Sequence, residues 1–544
     1  MPQLSKLQIR AKVLSVVSEI KSTKEYNEEL ISKFIDDLSQ IDDREALFDV
    51  FIKEYIKMEE DEYSFSSCLL KVLIPKEYIN DKVLDSLKSS LSDEAKYKLV
   101  QLLRVVGSDY DYNSLPSYFD NPEDVLDKET KKLLENAVFN PESMLDFLDF
   151  VSAVSERDRK LLLDSLSLDY QGDVLANIIY PILYSDFDDK FILDVIQVLS
   201  DSKSSLAIEP FNYLIETTNN EEIKSTCQIG LKKLKLAGAS KEKAEEYFKN
   251  IVKDTVPAEF FTTIPDGNGN QALLVSRMNT NKKFLLSAIV VNDIWGIIDC
   301  FGFFNISQDE LVKVLSKFYQ SEGKYKVLPE YVKTKIDEAV LLTVKNKRKF
   351  PYEFICWYPL VKDLNSLDFT FEDYVKKNCK KQLITKDDVI SCLTKEYTLR
   401  WFITSNENDE VKELVDKIYN TEKLDTDEIN SFIKSKISLV FDEKTTSIWK
   451  NRLYNMIYLL KVNCENKDSD KFFTILDDEN YFNLFKSIIL QRSVFSHFVS
   501  LYENSKDIFN TPNIFTKRNS KESKYEIKKL KEIVEFLKKR WING

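Results

Sequence analysis

The residues whose types and spacing could do chemistry in this chain are one histidine, a glycine-rich turn and carboxylates near predicted strands. His497 is the only histidine. Triad hydrolases need an imidazole base, most thiol enzymes need an imidazole partner, and most zinc sites draw on several His or Cys ligands. A single histidine sets most of that chemistry aside. His497 itself lies in RSVFSHFVSLY, a helical stretch where a structural role is expected. Carboxylate chemistry stays open, because 90 acidic residues can supply a pair.

Gly267-Asn268-Gly269-Asn270-Gln271-Ala272 matches the dinucleotide fingerprint GxGxxA. That motif works only when a helix follows at once and its amide end holds pyrophosphate. The residues that follow are strand-like, so the segment reads as a turn. Asp266, Asn268 and Asn270 alternate like the first ligands of a calcium loop. The same loop needs Gly at its sixth position and Glu at its twelfth, where Gln271 and Arg277 stand. Neither a metal nor a cofactor is assigned, and no catalytic residue is named.

Asp299-Cys300 ends a predicted strand, with Asp293 nearby and Arg277 on a neighbouring strand. A thiolate needs a base or positive charge beside it, which Asp299 opposes, so Cys300 reads as a buried structural thiol. Arg277, Asp293 and Asp299 form the candidate ligand site. Trp295, beside Ile294 in NDIWG, stands at a predicted hairpin tip where polar residues are usual. Either this loop folds back and buries the indole, or Ile294 and Trp295 anchor a partner.

Lys345, Lys347, Arg348 and Lys349 make a basic tract where a long helix should end, and cations there complement the helix dipole. If the tract joined Lys528, Lys529, Lys538, Lys539 and Arg540 in one surface, the basic C-terminal half could hold nucleic acid. The charge is uneven, with −20 over residues 1–230 and +7 over 231–544. The acidic arm repels phosphate, which argues against general nucleic-acid binding through it; its charge reads first as a solvated surface that keeps the chain soluble, with a basic protein partner as the alternative. No apolar run reaches the ~18–20 residues of a membrane span; the longest strand-like stretch is Phe284–Val291. The start, MPQLSKLQIRAKVL, lacks a secretory pattern. Seven cysteines without a CxxC pair read as buried thiols of a reducing cytoplasm.

Glycine and proline show how the chain is organised. Seven of ten glycines fall between Gly230 and Gly323, whereas Lys362–Thr511 holds neither Gly nor Pro. A turn-rich centre therefore separates two helical arms. The N-terminal arm predicts helices at Asp93–Val106, Pro141–Val154, Ser155–Leu166, Phe191–Leu199 and Glu221–Leu236. LAGAS at 236–240 is the expected linker, followed by a helix over Lys241–Lys253. Ala272–Met278, Phe284–Val291 and Ile297–Phe301 predict an antiparallel meander. Ser307 and Glu310 cap a helix over 308–319, and Pro329 starts another that runs to about Lys347. At the other end, Lys521–Trp541 predicts an amphipathic helix with Ile527, Leu530, Val534, Leu537 and Trp541 in one stripe.

An internal repeat runs at an offset of 31: Leu175, Ala176, Leu183 and Ile192 fall on Leu206, Ala207, Leu214 and Ile223. The second block, NNEEIKSTCQIGLKKLKLAG, carries a polar turn (Asn219–Glu222), an Ile223–Lys224 pair, small Cys227 and then Leu231. This pattern resembles the closing helix of HEAT-like repeats, with Cys227 in the place of the usual Ala and a unit shorter than the common ~40 residues. The resemblance covers residues 140–240, with an expected extension back to residue 40. It implies a curved solenoid that binds macromolecules on a concave face.

The expected fold is mainly α: an α-solenoid-like repeat arm over 1–239, a small α+β module with an antiparallel β-meander over 240–350, and an all-helical domain over 351–544. The expected function is a non-enzymatic, cytoplasmic protein–protein interaction or scaffold role. The alternatives are a small-ligand or carboxylate-based enzymatic module at the centre, and nucleic-acid binding by the basic C-terminal half.

Overall fold

The computed structural model describes residues 5–23, 28–108, 117–122, 124–125, 131, 134, 137, 140–318, 324–404, 408–421, 424–510 and 521–541. The chain is 70% helical, with a small five-stranded antiparallel sheet in its middle. It divides into two compact units, Met1–Leu133 and Leu134–Gly544.

The first unit contains α1 (Lys6–Ser22), α2 (Glu28–Ser39), α3 (Arg44–Tyr55), α4 (Glu60–Leu73), α5 (Lys76–Leu87) and α6 (Asp93–Val105). Local signals fix their starts. Ser5 accepts from the Gln8 amide while the Gln8 side chain accepts from the Ser5 amide, and Ser92 accepts from Ala95 N–H in the same manner. Phe34, Phe48, Phe51, Leu69, Leu70 and Leu99 fill the core. Tyr55 is buried among them, and its hydroxyl donates to the Lys98 carbonyl at 3.1 Å, with Ser67 Oγ at 2.8 Å. A buried hydroxyl without such partners would be costly.

The second unit opens with α7 (Pro141–Ala153), α8 (Glu156–Asp169), α9 (Gly172–Ile179), α10 (Asp189–Ser202), α11 (Ile208–Thr217), α12 (Glu221–Leu236) and α13 (Lys241–Ile251). Ser155 caps α8, accepting from Asp158 N–H. All eight residues of the 31-residue repeat are buried. Residues at equivalent repeat positions also bond to each other. Ser204 Oγ donates to Asp173 at 2.6 Å, and Asn220 Nδ2 donates to Asp189 at 2.8 Å. Both pairs are separated by 31 residues, so the α11–α12 hairpin stacks on α9–α10 in register.

Next come β1 (Thr255–Thr262), β2 (Asn270–Asn279), β3 (Phe284–Asn292), β4 (Gly296–Ile306), α14 (Gln308–Phe318), β5 (Tyr325–Lys326) and α15 (Pro329–Lys345). The strand order is β4-β3-β2-β1-β5, antiparallel throughout. The last three meander strands match their apolar runs. β1 and β5 are additions to the expected meander: Pro257 disguises β1, which carries a register shift between Pro257 and Phe260, and β5 is two residues long. Ser307 and Glu310 cap α14 reciprocally, as expected. Tyr319, the expected last residue of that helix, lies outside the described residues.

The remainder is helical: α16 (Tyr352–Trp357), α17 (Pro359–Lys362), α18 (Phe371–Asn378), α19 (Lys386–Leu393), α20 (Asp409–Asn420), α21 (Thr426–Val440), α22 (Glu443–Val462), α23 (Asn466–Asp477), α24 (Glu479–Asn510) and α25 (Lys521–Trp541). These helices are tied to the sheet. Trp401, fully buried, donates its indole N–H to the Pro265 carbonyl at 2.9 Å. Leu530 and Leu537 of the terminal stripe are buried, and α25 packs along α24. The Trp541 side chain lies outside the described residues. Among the described residues no helix is long and apolar enough to cross a membrane.

Candidate functional site

The turn at Gly267–Ala272 leads directly into β2, so no helix amides face it. Asp266 shapes it instead, with Oδ1 accepting from Asn268 N–H at 2.9 Å and Asn270 N–H at 2.8 Å. The turn is one wall of a cleft of about 930 Å³. β2, the β3–β4 turn, α15, the 367–373 segment leading into α18, and α22 supply the other walls.

Residues far apart in sequence form the floor. Arg452, 4% exposed, donates Nε and Nη2 to the Asp293 carboxylate at 2.6 and 2.8 Å, and Nη1 to the Gly267 carbonyl at 2.5 Å. Beside this fork lies a closed polar ring. Gln271 donates to Tyr331 at 2.7 Å, Tyr331 to Asn455 at 2.7 Å, and Asn455 back to the Gln271 carbonyl oxygen at 3.1 Å. Burial pushes the Tyr331 phenol far above its ordinary range, so it stays a neutral donor. Every group in the ring is satisfied, which makes the floor rigid.

The rim is different. Glu338, Asp368, Glu372 and Asp373 are exposed, and Phe369, Phe371 and Tyr454 stand half-buried beside them. Lys335 bonds Glu338 at 2.6 Å and lies 5.7 Å from the Phe371 ring centre. Glu372 pairs with exposed Lys376 at 2.6 Å.

The residues singled out in the sequence go to separate places. Asp293 lines the cleft. Asp299 is exposed on β4, where its carboxylate accepts from Cys300 N–H at 2.9 Å, and it does not line the cleft. Arg277, 2% exposed, forks onto Asp363 at 2.8 and 3.0 Å and donates to the Leu360 carbonyl. These three residues therefore do not form one site.

Ile294 is half-buried, and Trp295 is 49% exposed. Their backbone is held firmly. Asn292 Oδ1 accepts from both amides at 2.9 Å, Asn346 donates to the Ile294 carbonyl at 2.7 Å, and Arg348 donates to the Trp295 carbonyl at 3.2 Å. Gly296 follows at φ +89°, pressed on α15 so closely that a Cβ would lie 2.1 Å from Thr343 Oγ1. The indole thus projects from a clamped turn.

The basic tract divides in a similar way. Lys345 ends α15, Arg348 clamps the Trp295 turn and Lys349 pairs with Asp186. On α25, Lys528 pairs with Glu532 and Lys529 lies 4.5 Å over the Tyr419 ring. Five cysteines are buried, but Cys68 and Cys464 are exposed, which corrects the expectation that all seven are interior. Cys68 lies on the outward face of α4, and Cys464 follows α22 in a turn at φ +67°.

Sequence reasoning missed Arg452, Gln271, Asn455 and the aromatic rim. In the fork and the polar ring, the partners of Arg452, Gln271 and Asn455 lie 60 to 185 residues away. No protein-family model, curated protein or solved structure matches the chain.

Proposed function

We propose that this chain is a non-enzymatic protein-interaction or scaffold protein of the reducing cytoplasm, with Ile294 and Trp295 as its partner anchor. The observation that carries the reading is the contrast within one turn: a clamped backbone beneath a half-exposed indole. An aromatic held in place before binding loses little entropy on docking, and such residues dominate interface energetics. Stacking of α9–α10 and α11–α12 at a 31-residue repeat supports a HEAT-like arm beside this module. Seven unpaired cysteines fit a reducing compartment.

A carboxylate enzyme at the centre has less support. Asp293 is locked to Arg452, and Asp299 lies off the cleft. Affinity capture from native lysate tests the interaction reading, run with wild type, Trp295→Ala and the remote surface change Leu168→Ala. A protein recovered with wild type and Leu168→Ala but lost with Trp295→Ala is the expected result. Equal recovery with all three overturns the anchor.

A further inference from the structure

The cleft has a neutral floor and an acidic rim. Asp293 and Arg452 neutralise each other below, while Glu338, Asp368, Glu372 and Asp373 face solvent above, with Lys335 the one lysine among the described residues that lines the cleft. Asp368 has no hydrogen-bond or ionic partner among the described residues. The Glu372 pair to Lys376 is a surface pair that a ligand could exchange at little cost. Phe369, Phe371 and Tyr454 line the same opening.

Lys335 shows what this wall accepts. Its ammonium rests over Phe371 and against Glu338, the combination of ring face and carboxylate that holds cations. A volume of about 930 Å³ leaves room for more than this one side chain. Among the described residues no three acidic, His or Cys side chains converge as a metal ion would require. The rim charges are spread out, which suits cations spaced along a chain.

We propose that this cleft receives an arginine- or lysine-bearing extended segment of a protein partner. The cationic head groups would lie against Phe369, Tyr454 and the carboxylates of Asp368 and Glu372. Lys335 is then a built-in competitor for the same wall. The inference rests on the interaction reading only in taking the ligand to be a polypeptide. The two surfaces adjoin, because Asp293 of the cleft lies two residues before Trp295.

The test is fluorescence anisotropy with the full chain and a fluorescein-labelled nonapeptide of alternating Gly and Arg, at about 0.15 M salt to screen remote charge. Asp368→Asn and Phe369→Ala should each weaken binding about three- to tenfold, and Lys335→Ala should strengthen it about two- to fivefold. Lys190→Ala on α10 changes net charge equally at a distant exposed position and should leave affinity unchanged. Thermal melts confirm that each variant folds.

Three results overturn the proposal: no peptide binding, equal strengthening by Lys190→Ala and Lys335→Ala, or free arginine competing as well per guanidinium as the peptide. The last would mark a small-amine site. Trp295→Ala should not alter affinity for this short probe, so failure of the cleft and failure of the Trp295 anchor are read separately.

Discussion

The Arg452 guanidinium forks onto the Asp293 carboxylate across 159 residues of sequence, pinning α22 to the β3–β4 turn. Arg452 also donates to the Gly267 carbonyl, so three elements meet at one cation, which lies 5.3 Å from the Trp449 ring on its own helix. Removing the carboxylate strands a buried charge. Asp293→Ala should therefore destabilise the second unit by about 3–5 kcal/mol, read by urea unfolding. Asp293→Ala combined with Arg452→Met should recover much of that loss. A loss under about 1 kcal/mol from the single change would show that the pair does not hold the turn.

Gly302 and Trp357 are in comparably close contact. A Cβ at Gly302 would lie 2.2 Å from the indole, and Trp357 is fully buried against the sheet. Gly302→Ala should cost about 1–3 kcal/mol through overpacking, with a lower thermal midpoint. An unchanged midpoint would mean that α16 does not press on β4.

The thiols should divide by burial. Desolvation pushes Cys300 and Cys227 up to about 12 and Cys392 up to about 11, and raises Cys356 and Cys379 as well. Iodoacetamide on the native chain near pH 8 should label Cys68 and Cys464 and spare these five. Native labelling of Cys300 would contradict its place in the sheet.

How much was legible depends on how locally each feature is encoded. The meander strands announce themselves through β-branched and aromatic runs, and the caps at Ser155 and Ser307 act over three residues. Trp295 stands out because a large aromatic at a hairpin tip breaks the usual turn chemistry. β1 is hidden by Pro257, and β5 is too short to carry a period. The cleft has no local signature at all. Gln271 gives no hint of Asn455, 184 residues on, because only the packed fold brings them together.

His497 supplies a pH test with a single probe. Burial lowers its pKa below the ordinary 6.5, with Asp416 opposing that shift. Below pH 6.5 the unfolded chain takes up this proton before the folded chain does. Stability from this group is therefore fully kept above 6.5 and lost as pH falls through the folded pKa. The lone imidazole resonance should titrate below 6.5, and His497→Gln should flatten the decline in stability between neutral and mildly acidic pH. A midpoint at or above 6.5 would contradict its burial in α24.

The anchor itself is tested most directly by putting a photo-crosslinking aromatic, benzoylphenylalanine, at position 295 and, in parallel, at exposed Leu168. Irradiation in native lysate should give one discrete crosslinked protein from position 295 and none from position 168. Matching crosslink patterns at the two positions, or no crosslink at 295, would contradict the role assigned to this turn.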